Sequence, residues 1–410
     1  MINLLIWGEM ASLAFLGGVA QTALVTTVPY MLFPELAALA YDVFTRPRGL
    51  WARSPVMLVL TPSLAAAVGT LVTRNMPYDL ASMALCVVGA MLIIRLLRSP
   101  VAPAISAAFL PLALNVPSWW YPVSIAASTG TLATLSIAYR RSLAVRLEHA
   151  PDVSADVMDD EMESAPKRYV WVPIFAAFLG LTYTLSVVTG LRLILFPPLI
   201  VIGFEMFAHA NICPWAGRPF ALPLACTVTA AAGLSAFLFF GAGPLSVAIA
   251  MLIGISILRL LRLHIPPALA VGLLPQVMPH ADWWFPLAVA AGTLTLTATF
   301  IVSRPLLLDL VDPTWIRPDQ DRARRVQSPN NANLCNARDF RPTNQSNEIA
   351  SMPSTRRSAT IAHRNSEGST AKPINRERCD YCPACNRPEQ GTCRPNIGTT
   401  RCCEDRAPSS

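Results

Sequence analysis

Two stretches of the chain decide the fold: residues 91–104 read MLIIRLLRSPVAPA, and residues 255–268 read ISILRLLRLHIPPA. In both, an apolar run ends in an Arg-Leu-Leu-Arg motif and is followed within a few residues by proline and alanine. Proline lacks a backbone donor and tends to break a helix. Each stretch therefore predicts a long apolar helix that ends at the arginines, with a second, broken segment after it.

The correspondence between the two stretches extends over most of the chain. A shift of about 163 residues aligns Leu32-Phe33-Pro34 with Leu195-Phe196-Pro197 and, after one inserted residue, Trp51 with Trp215 and Trp119-Trp120 with Trp283-Trp284. Rare residues that match in order indicate a duplication. We predict a membrane repeat at 1–145, an acidic cytoplasmic linker at 146–168, a second membrane repeat at 169–310 and a polar tail at 311–410.

The composition is that of a membrane protein. Hydrophobic residues make up 53% of the chain, charged residues only 14%, and the mean hydropathy is +0.45. A helix needs about 20 apolar residues to cross a bilayer. Four segments per repeat meet that length, at 8–30, 55–74, 80–98 and 119–139, and at 170–194, 219–240, 244–262 and 283–303. Two more per repeat are shorter and rich in proline, at 33–44 and 101–116, and at 196–208 and 265–279.

Arginine predicts the orientation, because loops on the cytoplasmic side carry an excess of basic residues. Arg46, Arg48 and Arg53 mark one cytoplasmic loop. Arg95 and Arg98 mark a second cytoplasmic loop, and the basic residues of the linker mark a third. The three loops lie on the same side if both short segments of each repeat cross the membrane, tilted or broken. The alternative is that the short segments are interfacial or re-entrant. Either way the number of crossings per repeat is even, so we predict parallel repeats related by an axis along the membrane normal. Both termini would face the cytoplasm from the inner (plasma) membrane.

The tail from residue 311 changes character completely. It is polar, contains proline and lacks an apolar period, which predicts disorder. The cysteines from Cys379 to Cys403 could offer thiolates to zinc or an iron-sulfur cluster, but they have neither the spacing of a zinc site nor that of a ferredoxin cluster, which favours a nonfunctional extension. We therefore expect no cofactor and no metal. The basic residues lie at the ends of apolar segments and in the tail, which favours contact with a lipid surface over nucleic-acid binding.

Ionisable residues beside the apolar segments are candidate pathway residues, because such groups are costly in a bilayer. The prolines that break the short segments are candidates as well, because broken helices are typical of a transport site. Asp42 in the first repeat is matched by Glu205 in the second. They are either buried carboxylates that carry protons or pair with arginine, or acids at the cytoplasmic end of a short helix, in water or paired with Arg46. The arginine pairs lie three residues apart on one helical face and precede broken helices. They would either bind an anion or anchor the helices at the cytoplasmic face. These pairs are Arg95 with Arg98 and Arg259 with Arg262.

The stretch from Arg259 through His264, Pro266 and Pro267 to Ala270, followed by Trp-Trp and a final apolar span, resembles the HPP family of membrane proteins. That family is named for a His-Pro-Pro signature at the start of a short segment. In the first repeat the corresponding residues are Ser99 to Ala104, with Pro103 in place of the second proline. The resemblance covers about residues 10–143 and 172–306 and implies a polytopic helical fold. Some members are associated with nitrite transport, which makes nitrite a candidate substrate.

The sequence thus predicts an all-α polytopic membrane protein. We expect a secondary transporter or channel for a small anion, because broken helices at corresponding places in two repeats are typical of a transport site. The alternative is a non-transporting scaffold or sensor that uses the tail as its cytoplasmic contact. Neither repeat carries a nucleotide-binding or hydrolase motif, so we do not expect an enzyme. The expected partners are the lipid bilayer and a small anion, with the oligomeric state left open.

Overall fold

The computed structural model describes residues 2–148, 160–162 and 169–311, and these residues form helices without a β-strand. The predicted tail and its cysteines lie outside the described residues. The first half of the described chain, residues 2–148, contains seven α-helices and a 3₁₀ turn (Pro29–Leu32). The helices are α1 (Ile2–Thr26), α2 (Glu35–Thr45), α3 (Leu50–Arg53), α4 (Pro55–Asn75), α5 (Leu80–Leu97), α6 (Ala104–Leu114) and α7 (Trp120–Glu148).

The second half, residues 169–311, runs through its elements in the same order. Its helices are α8 (Val172–Thr189), α9 (Pro197–Ala208), α10 (Ala221–Phe240), α11 (Pro244–Leu261), α12 (Pro266–Leu273) and α13 (Trp284–Val311). Three 3₁₀ turns complete it, at Arg192–Leu195, Pro214–Gly217 and Leu274–Gln276. The turn Pro214–Gly217 takes the place that the four-residue helix α3 has in the first half.

Seven of the described helices are long and apolar enough to cross a membrane, namely α1, α4, α5, α8, α10, α11 and α13. The eighth predicted span, 119–139, is part of α7, which is longer but contains many Ser and Thr residues. Apolar side chains on the outer surfaces are strongly exposed: Val188 by 78%, Phe239 by 83% and Leu260 by 83%. In water such surfaces would be costly. The protein is therefore a multi-pass helical membrane protein whose outer surface contacts lipid.

The predicted ends of some segments need correction. Segment 170–194 is not one helix, because Gly190 has a left-handed backbone (φ +72°) that ends α8, and a 3₁₀ turn follows. Segment 265–279 is helical only to Leu273 and continues as a 3₁₀ turn that contains Pro275. Pro111, in contrast, does not interrupt α6. Since Pro111 has no N–H to give to Ala107, the Ala107 carbonyl accepts the Tyr121 hydroxyl instead, at 2.8 Å.

The four short helices form the centre of the protein. Every residue of α2 from Glu35 to Phe44 is buried, and so is nearly every residue of α6, α9 and α12. Helix α2 packs against α12 of the other half, and α6 packs against α9. An 11-residue helix is only about 17 Å long, roughly half of a bilayer core of about 30 Å. Half-length helices with irregular connections are tolerated at such depth only inside protein, and that is where these four lie.

At α2 the chain nevertheless passes from one end of helix α1 to the other. At one end, Val28 N–H bonds back to Ala23 and the ring of Tyr30 packs on Tyr121 at the start of α7. At the other end, a Cβ placed on Gly8 would meet the carbonyl of Phe44, so the end of α2 lies beside the start of α1. Residues 29–45 thus run back along most of α1 as a 3₁₀ turn plus a half-length helix.

Candidate functional site

The short helices α2, α9 and α12 meet at a cleft between the two halves. It has a volume of about 310 Å³, counting the solvent at its mouth. Asp42 of α2 lies behind the cleft wall, where it contacts the lining residues Arg46 and His264. The residues that line it are Arg46, Trp51, Met162, Glu205, Trp215, His264, Pro266 and Pro267.

An ionic cluster occupies the first-half side of this cleft. Asp42 is fully buried on the last turn of α2, and Arg46, four residues later, reaches back to it with 2.8 Å between Nη1 and Oδ1. The other terminal nitrogen of Arg46 donates to Oδ1 of Asp160, at 2.7 Å. The same Asp160 oxygen accepts the N–H of Leu50 at 3.3 Å. The guanidinium is thus held between one buried carboxylate and one that is partly exposed.

The second half supplies a histidine to this cluster. His264 Nε2 lies 3.6 Å from Asp42 Oδ1, within ion-pair range once the imidazole is protonated. The histidine ring also packs beside Tyr41, with 6.0 Å between centroids. His264 immediately precedes Ile265, the N-cap of α12, so Pro266 and Pro267 at the start of that helix bring it to the carboxylate of α2. Residues about 220 positions apart in the chain therefore form one polar centre.

Half of the sequence-predicted residues gather at the cleft. Glu205, His264, Pro266 and Pro267 line it, and Asp42 contacts its lining residues Arg46 and His264. Pro103 is buried and serves as the N-cap of α6. It is not among the residues that line the cleft.

The four arginines of the Arg-Leu-Leu-Arg motifs lie elsewhere, and all are exposed. Arg259 pairs with Glu9 of α1, with Nε 2.9 Å from Oε1. Arg95 lies over the ring of Tyr169, 5.2 Å from its centroid. Arg98 and Arg262 end α5 and α11 in left-handed conformations, with φ of 48° and 52°. The motif thus ends both helices in the same way, and its guanidinium groups do not line the cleft.

Two buried tryptophans, one from each half, line the cleft. Trp51 and Trp215 are 2% and 1% exposed, and both line the cleft. The indole Nε1–H of Trp51 donates to the carbonyl of Pro100 at 2.9 Å. The indole Nε1–H of Trp215 has no hydrogen-bond acceptor within the described residues. The repeat alignment pairs these tryptophans, but nothing in the sequence marks them as site residues.

A second buried polar pair lies deeper, at the contact of α2 with α6. Glu35, at the first position of α2, accepts a hydrogen bond from Ser106 near the start of α6. Both side chains are buried, and the second carboxyl oxygen of Glu35 has no hydrogen-bond partner within the described residues. Counting from Thr45, Glu35 lies about 15 Å along α2, which is about half the depth of a bilayer core.

Sequence reasoning missed Asp160, Trp51, Trp215 and Glu35 as candidate site residues, and it named Arg46 only as a possible partner of Asp42. Arg46 had a signal, since it follows Asp42 by four positions on the same helical face. Asp160 had none, because its contact with Arg46 joins residues 114 positions apart. Within the described residues, no three His, Cys, Asp or Glu side chains group as metal ligands.

No protein-family model matches the chain, and neither a curated protein nor a solved structure shows significant similarity to it. The resemblance to the HPP family thus stays a prediction from the sequence.

Proposed function

We propose that the protein is a secondary transporter or channel for a small anion, with nitrite as the first candidate on the strength of the HPP resemblance. The observation that carries the proposal is the cleft at the meeting point of the short helices, with a buried ionic cluster on its wall. Ionisable groups buried in a helical membrane protein mark substrate and ion pathways more often than structural positions.

The short helices support this proposal through their placement. They come from both halves, pack against each other, and are surrounded by the longer helices. Transporters built from two repeats place their substrate sites where discontinuous helices of the two halves meet. In the proposed topology, each half crosses the membrane six times, and the short helices with their extended connections provide two of those crossings. The arginine-rich end would face the cytoplasm.

Arg46 is the residue we propose to contact the anion. Its guanidinium presents several donors in a fixed plane, which suits a small oxyanion. Asp42 is buried and holds one side of the guanidinium, whereas Asp160 is a partly exposed partner. An entering anion would take the place of Asp160, because that exchange keeps the charge on Arg46 compensated. Protonation of His264 would add a second positive charge near the same point.

Uptake into proteoliposomes tests the proposal. The full chain would be reconstituted and assayed with nitrite, nitrate, formate and chloride, with empty liposomes as the baseline. Arg46→Gln should abolish uptake, because it removes the charge that faces the anion. Arg53→Gln is the matched control, since it removes an exposed arginine from the same end of the protein and should leave uptake unchanged.

Folding and the alternative are controlled in the same experiment. Arg46→Lys retains the charge and should keep part of the flux where Arg46→Gln has none, which separates loss of charge from loss of folding. The double variant Arg98→Gln with Arg262→Gln tests the arginine-pair hypothesis directly. A well-folded wild-type protein without flux for any anion would overturn the transport proposal and favour the scaffold or sensor.

A further inference from the structure

The two tryptophans of the cleft differ in the hydrogen bonding of their indole N–H groups. Trp51 and Trp215 occupy matching positions in the repeat alignment, both are buried, and both line the cleft. Trp51 has an acceptor, the carbonyl of Pro100, whereas Trp215 has none within the described residues. The residue that aligns with Pro100 is His264, which itself lines the cleft. The internal bond of the first half therefore has no counterpart in the second.

A buried indole N–H without an acceptor is costly, so tryptophan is usually placed where its donor finds a partner. The indole nitrogen can only donate a hydrogen bond. Whatever completes this site must accept one, which excludes a cationic ligand at this point. Arg46 on the same wall is also a donor without acceptor capacity.

We propose that the cleft is a binding site for a small oxyanion, nitrite or a short carboxylate, and that one of its oxygens accepts the hydrogen bond of Trp215 Nε1–H. This assignment rests on the proposed transport function and identifies the neutral donor of its binding site. Arg46 supplies the positive charge, and His264 lies beside the same anion. Trp51, with its donor bonded inside the protein, has a structural role.

The two tryptophans provide a matched experiment. Trp215→Phe should raise the KM for nitrite uptake by about tenfold, because one hydrogen bond to a charged acceptor is lost. Its melting temperature in detergent should be unchanged or higher. Trp51→Phe leaves the Pro100 carbonyl without its donor, so it should lower the melting temperature while the KM stays within about twofold of wild type.

A binding measurement on the purified full chain keeps this inference separate from the transport proposal. Nitrite should raise the melting temperature of the wild type and of Trp51→Phe, but much less that of Trp215→Phe; urea is the uncharged control. If Trp215→Phe fails to fold, benzothienylalanine at position 215 removes the donor and keeps the ring volume. An unchanged KM with either replacement would overturn the inference, and water would then be the partner of Trp215.

The outcomes also separate the two proposals. Nitrite stabilisation that depends on Trp215, in a protein without flux, would support the binding site and overturn transport. Flux that ignores Trp215 would support transport and overturn this assignment.

Discussion

The ends of α2 and α9 show how the two halves differ. In both helices the backbone closes in the same way: the N–H of Arg46 bonds to the carbonyl of Asp42 at 2.7 Å, and that of His209 bonds to Glu205 at 3.1 Å. The side chains at these positions are not the same, since the first half carries an aspartate and an arginine where the second carries a glutamate and a histidine. The two helix ends share a backbone hydrogen bond, and they differ in the side chains that they place at the cleft.

The interior shows the same contrast. Glu35 and Ser106 form a buried polar pair in the first half, while the aligned residues in the second half are Pro198 and Ala270. One glycine contact between helices, in contrast, is alike in both halves, at Gly69 and at the aligned Gly233. The close helix contact is found in both halves, which indicates that the fold depends on it. The buried polar residues differ between the halves, so the fold does not require the same polar residues in each.

Glycine packing gives the largest expected effect. A Cβ on Gly69 of α4 would overlap the carbonyl of Ala108 in α6, and one on Gly233 of α10 would overlap that of Gly272 in α12. Gly69→Ala and Gly233→Ala should each destabilise the protein by about 3 kcal/mol, because backbone has to move. Thermal unfolding in detergent measures this. Gly17→Ala, with nothing within 4 Å, is the control and should be neutral or slightly stabilising. Equal losses at all three positions would contradict close packing.

Breaking the ionic cluster should have the next largest effect. Asp42→Asn removes the buried carboxylate that holds Arg46, and we expect a loss of about 2 kcal/mol. Asp160→Asn removes a second carboxylate that Arg46 contacts, but its side chain is 27% exposed and solvent screens the pair. It should cost less than about 1 kcal/mol. Chemical denaturation of both variants compares them. If Asp160→Asn proved the more damaging, the linker residue rather than α2 would hold Arg46.

The polar pair that only the first half has should give a smaller effect. Ser106→Ala gives α6 the residue that α12 has at the aligned position and leaves Glu35 without its hydrogen-bond donor. We expect a loss of about 1–2 kcal/mol. Adding Glu35→Ala should cost less than the sum of the two single changes, since the pair then disappears together. Simple additivity in thermal unfolding would mean that the two side chains do not interact.

Much of the fold could be predicted from the sequence, because long apolar segments have sharp polar or proline boundaries. The predicted segment 55–74 is α4 at Pro55–Asn75, and 244–262 is α11 at Pro244–Leu261. Asp42, Glu205 and His264 were also predicted, since ionisable residues stand out in an apolar context.

The assembly of the site could not be predicted. Hydropathy places a residue in a segment but does not say which segments pack against each other, so the approach of His264 to Asp42 had no signal in the sequence. The exposed arginines Arg98 and Arg262 were named as candidate site residues because their motif is repeated, yet they end helices at the surface. The repeated motif identifies helix ends that both halves share, whereas the ionisable side chains at the cleft differ between the halves.

The start of α5 offers the smallest effect and the finest comparison. Asp79 is the N-cap of α5 and forms a capping box with Ser82, whereas the aligned cap of α11 is Gly243, which has no side chain to donate or accept. The Ser82 N–H bonds to Asp79 at 2.7 Å and lowers the pKa of that carboxyl below its ordinary value of 3.8. A lowered pKa in the folded state stabilises it above pH 3.8, and this contribution is lost as the pH falls through the lowered pKa. Asp79→Ala should therefore reduce the melting temperature slightly at about pH 7 and by less at about pH 3. A reduction that stayed the same at both pH values would mean that the cap acts without its charge, as the glycine cap of α11 must.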